Sequence, residues 1–113
     1  MIHEMKLNEK PFENMDKGIK KMELRLYDDK RSKISLNDFI IFHKITDPSQ
    51  TIKVKVTGLL RYNSFEDLFK DVDHNISGPA NSLSEKLQSI REIYSLEEEQ
   101  NYGILAIRVE KVI

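Results

Sequence analysis

Lys20, Glu23 and Arg25 are the residues of this chain whose types and spacing best suit chemistry. Arg25 offers a planar fork of donors that fits a phosphate or a base edge, whereas Lys20 is a compact point charge. Glu23 can orient either cation, or accept from the amino group of a base. Lys20 and Glu23 also form a candidate catalytic pair, with Glu23 as base or water-orienting group and Lys20 stabilising a developing oxyanion. The plainer alternative is a Lys–Glu–Arg ion-pair network that closes a sheet. A second polar stretch follows at once. Lys30, Arg31 and Lys33 can track an RNA backbone while Tyr27 stacks on a base, or the same residues form a solvated turn.

These side chains need a strand to hold them. Read as one, residues 20–27 place Lys21, Glu23 and Arg25 on one face and Lys20, Met22, Leu24 and Leu26 on the other. Lys20 is the anomaly on an otherwise apolar face, and it reaches Glu23 only if the segment twists or bulges near Gly18. Around it, residues 5–7, 39–43, 51–62 and 104–112 read as further strands. Gly58 marks a bulge or bend in the longest of them.

Helices are expected over Pro11 to Lys17 with Asn8 as cap and Gly18 as stop, after Ser64 with Asp67 completing a capping box, after Ser82 or Ser84 through Tyr94, and after Ser95 with Glu98. Residues 28–32 read as a polar connection, 33–36 as a weak alternation, 47–50 as a loop and 73–81 as a long loop broken by Gly78-Pro79. Phe65, Phe69 and Tyr94 fall on helical stripes and count as core, and Glu97–Glu99 as the exposed face of a short helix. The sum is a single α+β domain over residues 1–113, with about five to six strands in a small barrel-like sheet and three or four helices around it.

Composition bounds the partners. The 113 residues carry a formal net charge of -1, with 39% hydrophobic and 33% charged residues, as a soluble globular domain does. Seven of the cations lie within residues 17–33, so a local basic cleft is compatible with a near-neutral total. No apolar run approaches the ~20 residues of a membrane span, and no secretory segment is evident. The chain has no cysteine, which excludes disulfides and thiolate metal sites and accords with a cytoplasmic location. His3, His43 and His74 lack metal-ligand spacing, and no Gly-rich phosphate loop is present, so neither metal nor cofactor is expected.

Gly18, Lys20, Glu23 and Arg25 together resemble the G-x-K-x-x-E-x-R signature of the ASCH (activating signal cointegrator homology) domain family. Met5-Lys6-Leu7 with Pro11-Phe12, the run from Glu23 to Arg31, the Ser64–Leu68 segment and Tyr102–Ile107 resemble that family in the same order. The resemblance implies a PUA-like fold, a small β-barrel with a cleft at one side, and RNA or a nucleoside- or nucleotide-like ligand as partner. With the signature residues and the basic stretch after them, the candidate ligand- or RNA-binding set is Lys20, Lys21, Glu23, Arg25, Tyr27, Lys30 and Arg31. Relatives include an amidohydrolase acting on N(4)-acetylcytidine and members with ribonuclease activity. In the amidohydrolases a threonine nucleophile stands three positions after the lysine, and here that position holds Glu23. A hydrolase acting on a modified nucleoside or on RNA would therefore need a different mechanism.

Overall fold

Alternating strands bury one face and a continuous apolar strand buries both, so the latter lies between the two layers of the core. The computed structural model describes residues 1–113. Its strands are β1 (Ile2–Leu7), β2 (Met22–Leu26), β3 (Phe39–Lys44), β4 (Asp47–Tyr62) and β5 (Ile104–Lys111). Its helices are α1 (Glu9–Asp16), α2 (Asp29–Ser32), α3 (Phe65–Asp71), α4 (Leu83–Ile93) and α5 (Leu96–Tyr102), with a 3-10 turn at His74–Ser77. They form an α+β, PUA-like half-barrel: one curled sheet of five strands in the order β1-β3-β4-β5-β2, with the helices packed around it. No helix is long and apolar enough to cross a membrane.

β1 runs parallel to β3, and the remaining pairs are antiparallel. In β3 and β4 one face is buried, by Ile40 and Phe42 and by Ile52, Val54 and Val56. In β5, Ile104 through Ile107 are all buried, because helices cover the outer face and the curl covers the inner one. Leu105 and Ile107 join the inner core with Phe42 and the α1 residues Phe12 and Met15. Ile104 and Ala106 join the outer core with Met22, Phe65, Leu68 and Ile90.

Serine caps hold at three helix starts, whereas Asn8 precedes α1 without a side-chain cap and Asp67 does not complete a capping box with Ser64. Ser64, Ser82 and Ser95 each accept a hydrogen bond from the backbone three residues on, and Ser95 with Glu98 forms a complete capping box. The bulge expected at Gly58 is a register shift between Val56 and Gly58.

Other segments differ from expectation. Residues 28–32 are not an open connection: Asp28 accepts from the Arg31 amide and starts the single turn α2. Residues 33–36 form no strand, although Ile34 is buried in the inner core. Residues 47–50 belong to β4, yet the ladder skips Pro48 to Gln50, as a residue without an amide hydrogen requires.

Gly103 ends α5 with φ 69° and ψ -174°, and a Cβ there would lie 3.1 Å from the Tyr62 carbonyl oxygen. The backbone conformation strains any side chain, and the carbonyl would have to give by a few tenths of an ångström. Gly103→Ala is expected to lower stability by about 1–3 kcal/mol. An unchanged urea midpoint would refute the strain.

Candidate functional site

Because the sheet curls, its two edge strands face one another across a seam. No backbone pairing closes that seam. The Arg25 side chain on β2 crosses it instead, its Nη2 donating to the Lys6 carbonyl of β1 at 2.8 Å. The remaining gap is a cleft of about 370 Å³, walled by Lys6 and Leu7 of β1, Glu23 to Arg25 of β2, Pro11 of α1, Phe65, and the α4 side from Lys86 to Tyr94.

Lys20 meets Glu23 because it lies outside the strand. Gly18, at φ 77°, turns the chain, and the amides of Ile19 and Lys20 both donate to the Asn14 carbonyl, so β2 begins only at Met22. The Lys20 ammonium then donates to the Met22 carbonyl at 2.9 Å and the Ser77 carbonyl at 2.8 Å, and stands 3.1 Å from Glu23 Oε1. All three of its protons are therefore engaged. At 7% exposure it ties β2 to the 3-10 turn.

Glu23 is 4% exposed and equally committed. Its Oε2 accepts from Arg25 Nε at 2.9 Å and lies 2.7 Å from Nη2, while Oε1 faces Lys20. Burial by itself pushes the Glu23 carboxyl up, but the charges of Lys20 and Arg25 outweigh it and hold the group below the ordinary value. For Arg25, burial works against the charge, and Glu23 more than restores it. Arg25 differs from its two neighbours in keeping donors free: Nη1 has no protein partner. The open end of this network is the guanidinium, not the lysine.

Opposite Arg25 the wall is aromatic and cationic. Phe65 and Tyr94 stack with ring centroids 5.8 Å apart. Burial raises the Tyr94 phenol, with the Arg25 and Arg31 charges opposing and Glu23 and Asp28 assisting. Lys86 donates to the Gly78 carbonyl at 2.6 Å, and no carboxylate lies within salt-bridge distance of it. Phe65 is core, as its helical spacing predicts, and Tyr94 packs against the same cluster; both also border the cleft, whereas the sequence alone does not single out Lys86. The available signal was helical spacing, since Lys86 falls between Leu83 and Ile90 on the otherwise apolar stripe of α4.

The other sequence candidates lie elsewhere. Lys21 is exposed, its amide donating to the Ile76 carbonyl, and its side chain borders a separate groove beside Arg108. Tyr27 is half-buried, with the Arg61 guanidinium 3.6 Å over its ring, so one stacking face is already occupied. Lys30 is exposed on α2, and Arg31 pairs with Asp28 at 3.0 Å.

The ASCH domain model matches residues 5–113. The chain belongs to the ASCH domain family. Two solved structures agree with that assignment. The crystal structure of the hypothetical protein PH0355 is similar at 36% identity with a TM-score of 0.88, covering 99% of this chain and 100% of that one. The solution NMR structure of protein PF0455 from Pyrococcus furiosus is similar at 35% identity and a TM-score of 0.77, covering 99% and 98% of the two chains. No curated protein matches the chain. Lys20, Glu23 and Arg25 thus line the seam cleft, the first two buried and Arg25 less so, while Gly18 borders the separate groove beside Arg108.

Proposed function

We propose that this ASCH domain binds RNA, or a nucleoside-like ligand, by taking one unstacked base into the seam cleft. The observation that carries the reading is Arg25, pinned by Glu23 on one side and open on the other, at the mouth of a cleft with apolar and aromatic walls. A flat π-face needs such walls, and a polar base edge needs a few fixed donors. The volume of about 370 Å³ is near the small end for ligand sites and suits one nucleoside rather than a run of bases.

The hydrolase alternative asks Glu23 to take a proton from water. Both carboxylate oxygens are engaged, and a lowered pKa makes it a weaker base at neutral pH. No serine lining the cleft has a base beside it: the hydroxyls of Ser77 and Ser89 donate to the carbonyls of His74 and Glu85. These arrangements favour binding over turnover.

Arg25→Ala is expected to weaken binding of short single-stranded RNA at least tenfold, read by fluorescence anisotropy at low salt. Arg25→Lys should recover little, because an ammonium lacks the planar fork. Unchanged affinity in a folded Arg25→Ala protein would overturn the cleft assignment.

A further inference from the structure

The cleft holds more positive charge than its own carboxylate can balance. Lys6, Lys20, Arg25 and Lys86 line it against the single acid Glu23, and Glu23 is already engaged by Lys20 and Arg25. Lys86 has one backbone carbonyl as partner, and Arg25 Nη1, the Lys6 ammonium and the Asn8 side-chain amide have none, so the donors left free along this lining are mostly cationic and border the same space. The remainder of the lining is largely apolar, including Leu24, Phe65, Ile93 and Tyr94. A ligand that satisfies both halves has a flat apolar part and an anionic oxygen cluster.

Resting on the base-binding reading above, we infer that the ligand carries a terminal phosphate held by Lys86 and Arg25: a nucleoside monophosphate, or the phosphorylated end of an RNA. An internal segment of a strand is disfavoured because its chain must leave the cleft in two directions, and the cleft has room for about one nucleotide. Lys86 and Arg25 are suited to a phosphate in different ways, the first as a point charge and the second through its fork of donors.

The surroundings of Lys86 favour an anion beside it. Burial, assisted by the Lys20 charge, lowers its pKa to about 8. The titratable groups lining the cleft with it are Lys6, Lys20, Glu23, Arg25 and Tyr94. A phosphate placed there restores the charged form, so phosphate recognition is strongest between about pH 6, where the phosphate gains its second charge, and about pH 8, and declines as the pH rises past it.

The test compares the four ribonucleosides, their 5′-monophosphates, inorganic phosphate, and a tetranucleotide RNA with and without a 5′- or 3′-phosphate. Binding is read by calorimetry at pH 7 with wild type, Lys86→Ala and Lys86→Arg. Lys86 is half-buried on a helix that tolerates alanine, so the variant should fold. At least one monophosphate, or one phosphorylated RNA end, is expected to bind tenfold or more tighter than its unphosphorylated counterpart. Lys86→Ala should abolish that difference and Lys86→Arg restore most of it. Which phosphorylated probe binds tighter separates a free nucleotide from an RNA end. Equal affinity with and without phosphate, or a preference that survives Lys86→Ala, overturns the inference while leaving base binding in place. Inorganic phosphate binding as well as any nucleotide overturns it too. No binding by any nucleoside, nucleotide or RNA overturns both this inference and the reading beneath it.

Discussion

Glu23→Ala is expected to destabilise the domain by about 3–5 kcal/mol, as removal of one partner from a buried ion pair generally does. Glu23 lies between two cations that cannot escape to water easily: Lys20 is 7% exposed and the Arg25 side chain 15%. Without the carboxylate, the Lys20 ammonium keeps two carbonyl partners, but its charge has no counterion. Arg25 loses the group that fixes its Nε, while its link to Lys6 across the seam remains.

Urea unfolding at pH 7 measures the loss, and a shift below about 1 kcal/mol would show the network to be ornamental. Glu23→Gln isolates the charge. Because the folded carboxyl titrates below its ordinary value of 4.5, its contribution is fully present above that value. It disappears as the pH falls through the lowered folded pKa. The stability gap between wild type and Glu23→Gln should therefore be constant near neutrality and close in acid. A gap that widens in acid would reverse the sign of the argument.

Much of this site was legible in the sequence, and the part that was not has a physical explanation. Spacing identified Lys20, Glu23 and Arg25 as a group and marked Lys20 as out of place on an apolar face. Alternation was then extended two residues too far: Gly18 and the Asn14 carbonyl hold Lys20 outside β2, which is why it reaches Glu23. Helix caps such as Ser64 and Ser95 are local hydrogen bonds, so local sequence reveals them. The seam is not local. It exists because β1 pairs with β3 while β2 pairs with β5 at the other edge, and no short window records either partnership. The same holds for Lys86, which becomes a cleft residue only when α4 packs beside the seam.

Glu99 illustrates the limit more sharply and yields the second large effect. In the sequence it is the last of three consecutive glutamates, and such a run reads as a solvated face. In the structure it is 2% exposed. Its Oε1 accepts from the Phe65 amide at 2.6 Å and its Oε2 from Arg91 Nη2 at 2.9 Å. The Phe65 amide belongs to the first residue of α3, where a helix has no internal acceptor to offer. Ser64 satisfies the Asp67 amide, and Glu99, from a different helix, satisfies that of Phe65.

Glu99→Ala is expected to cost about 3–5 kcal/mol, because it strands that amide and removes the counterion of Arg91. Glu99→Gln keeps an acceptor for Phe65 but turns a donor toward the guanidinium, for a loss of about 1–3 kcal/mol. The effect should extend beyond stability. Phe65 stacks on Tyr94, and Arg91 also donates through Nη1 to the Tyr94 carbonyl at 3.2 Å. Glu99 therefore helps set the aromatic wall of the cleft without touching anything in it. RNA affinity measured on folded Glu99→Gln at low temperature should fall several-fold, with its dependence on salt unchanged because no cation has been lost. A loss of stability with full affinity would confine Glu99 to the core. A steeper or shallower salt dependence would instead mean that the charge of Glu99 acts directly on the nucleic acid.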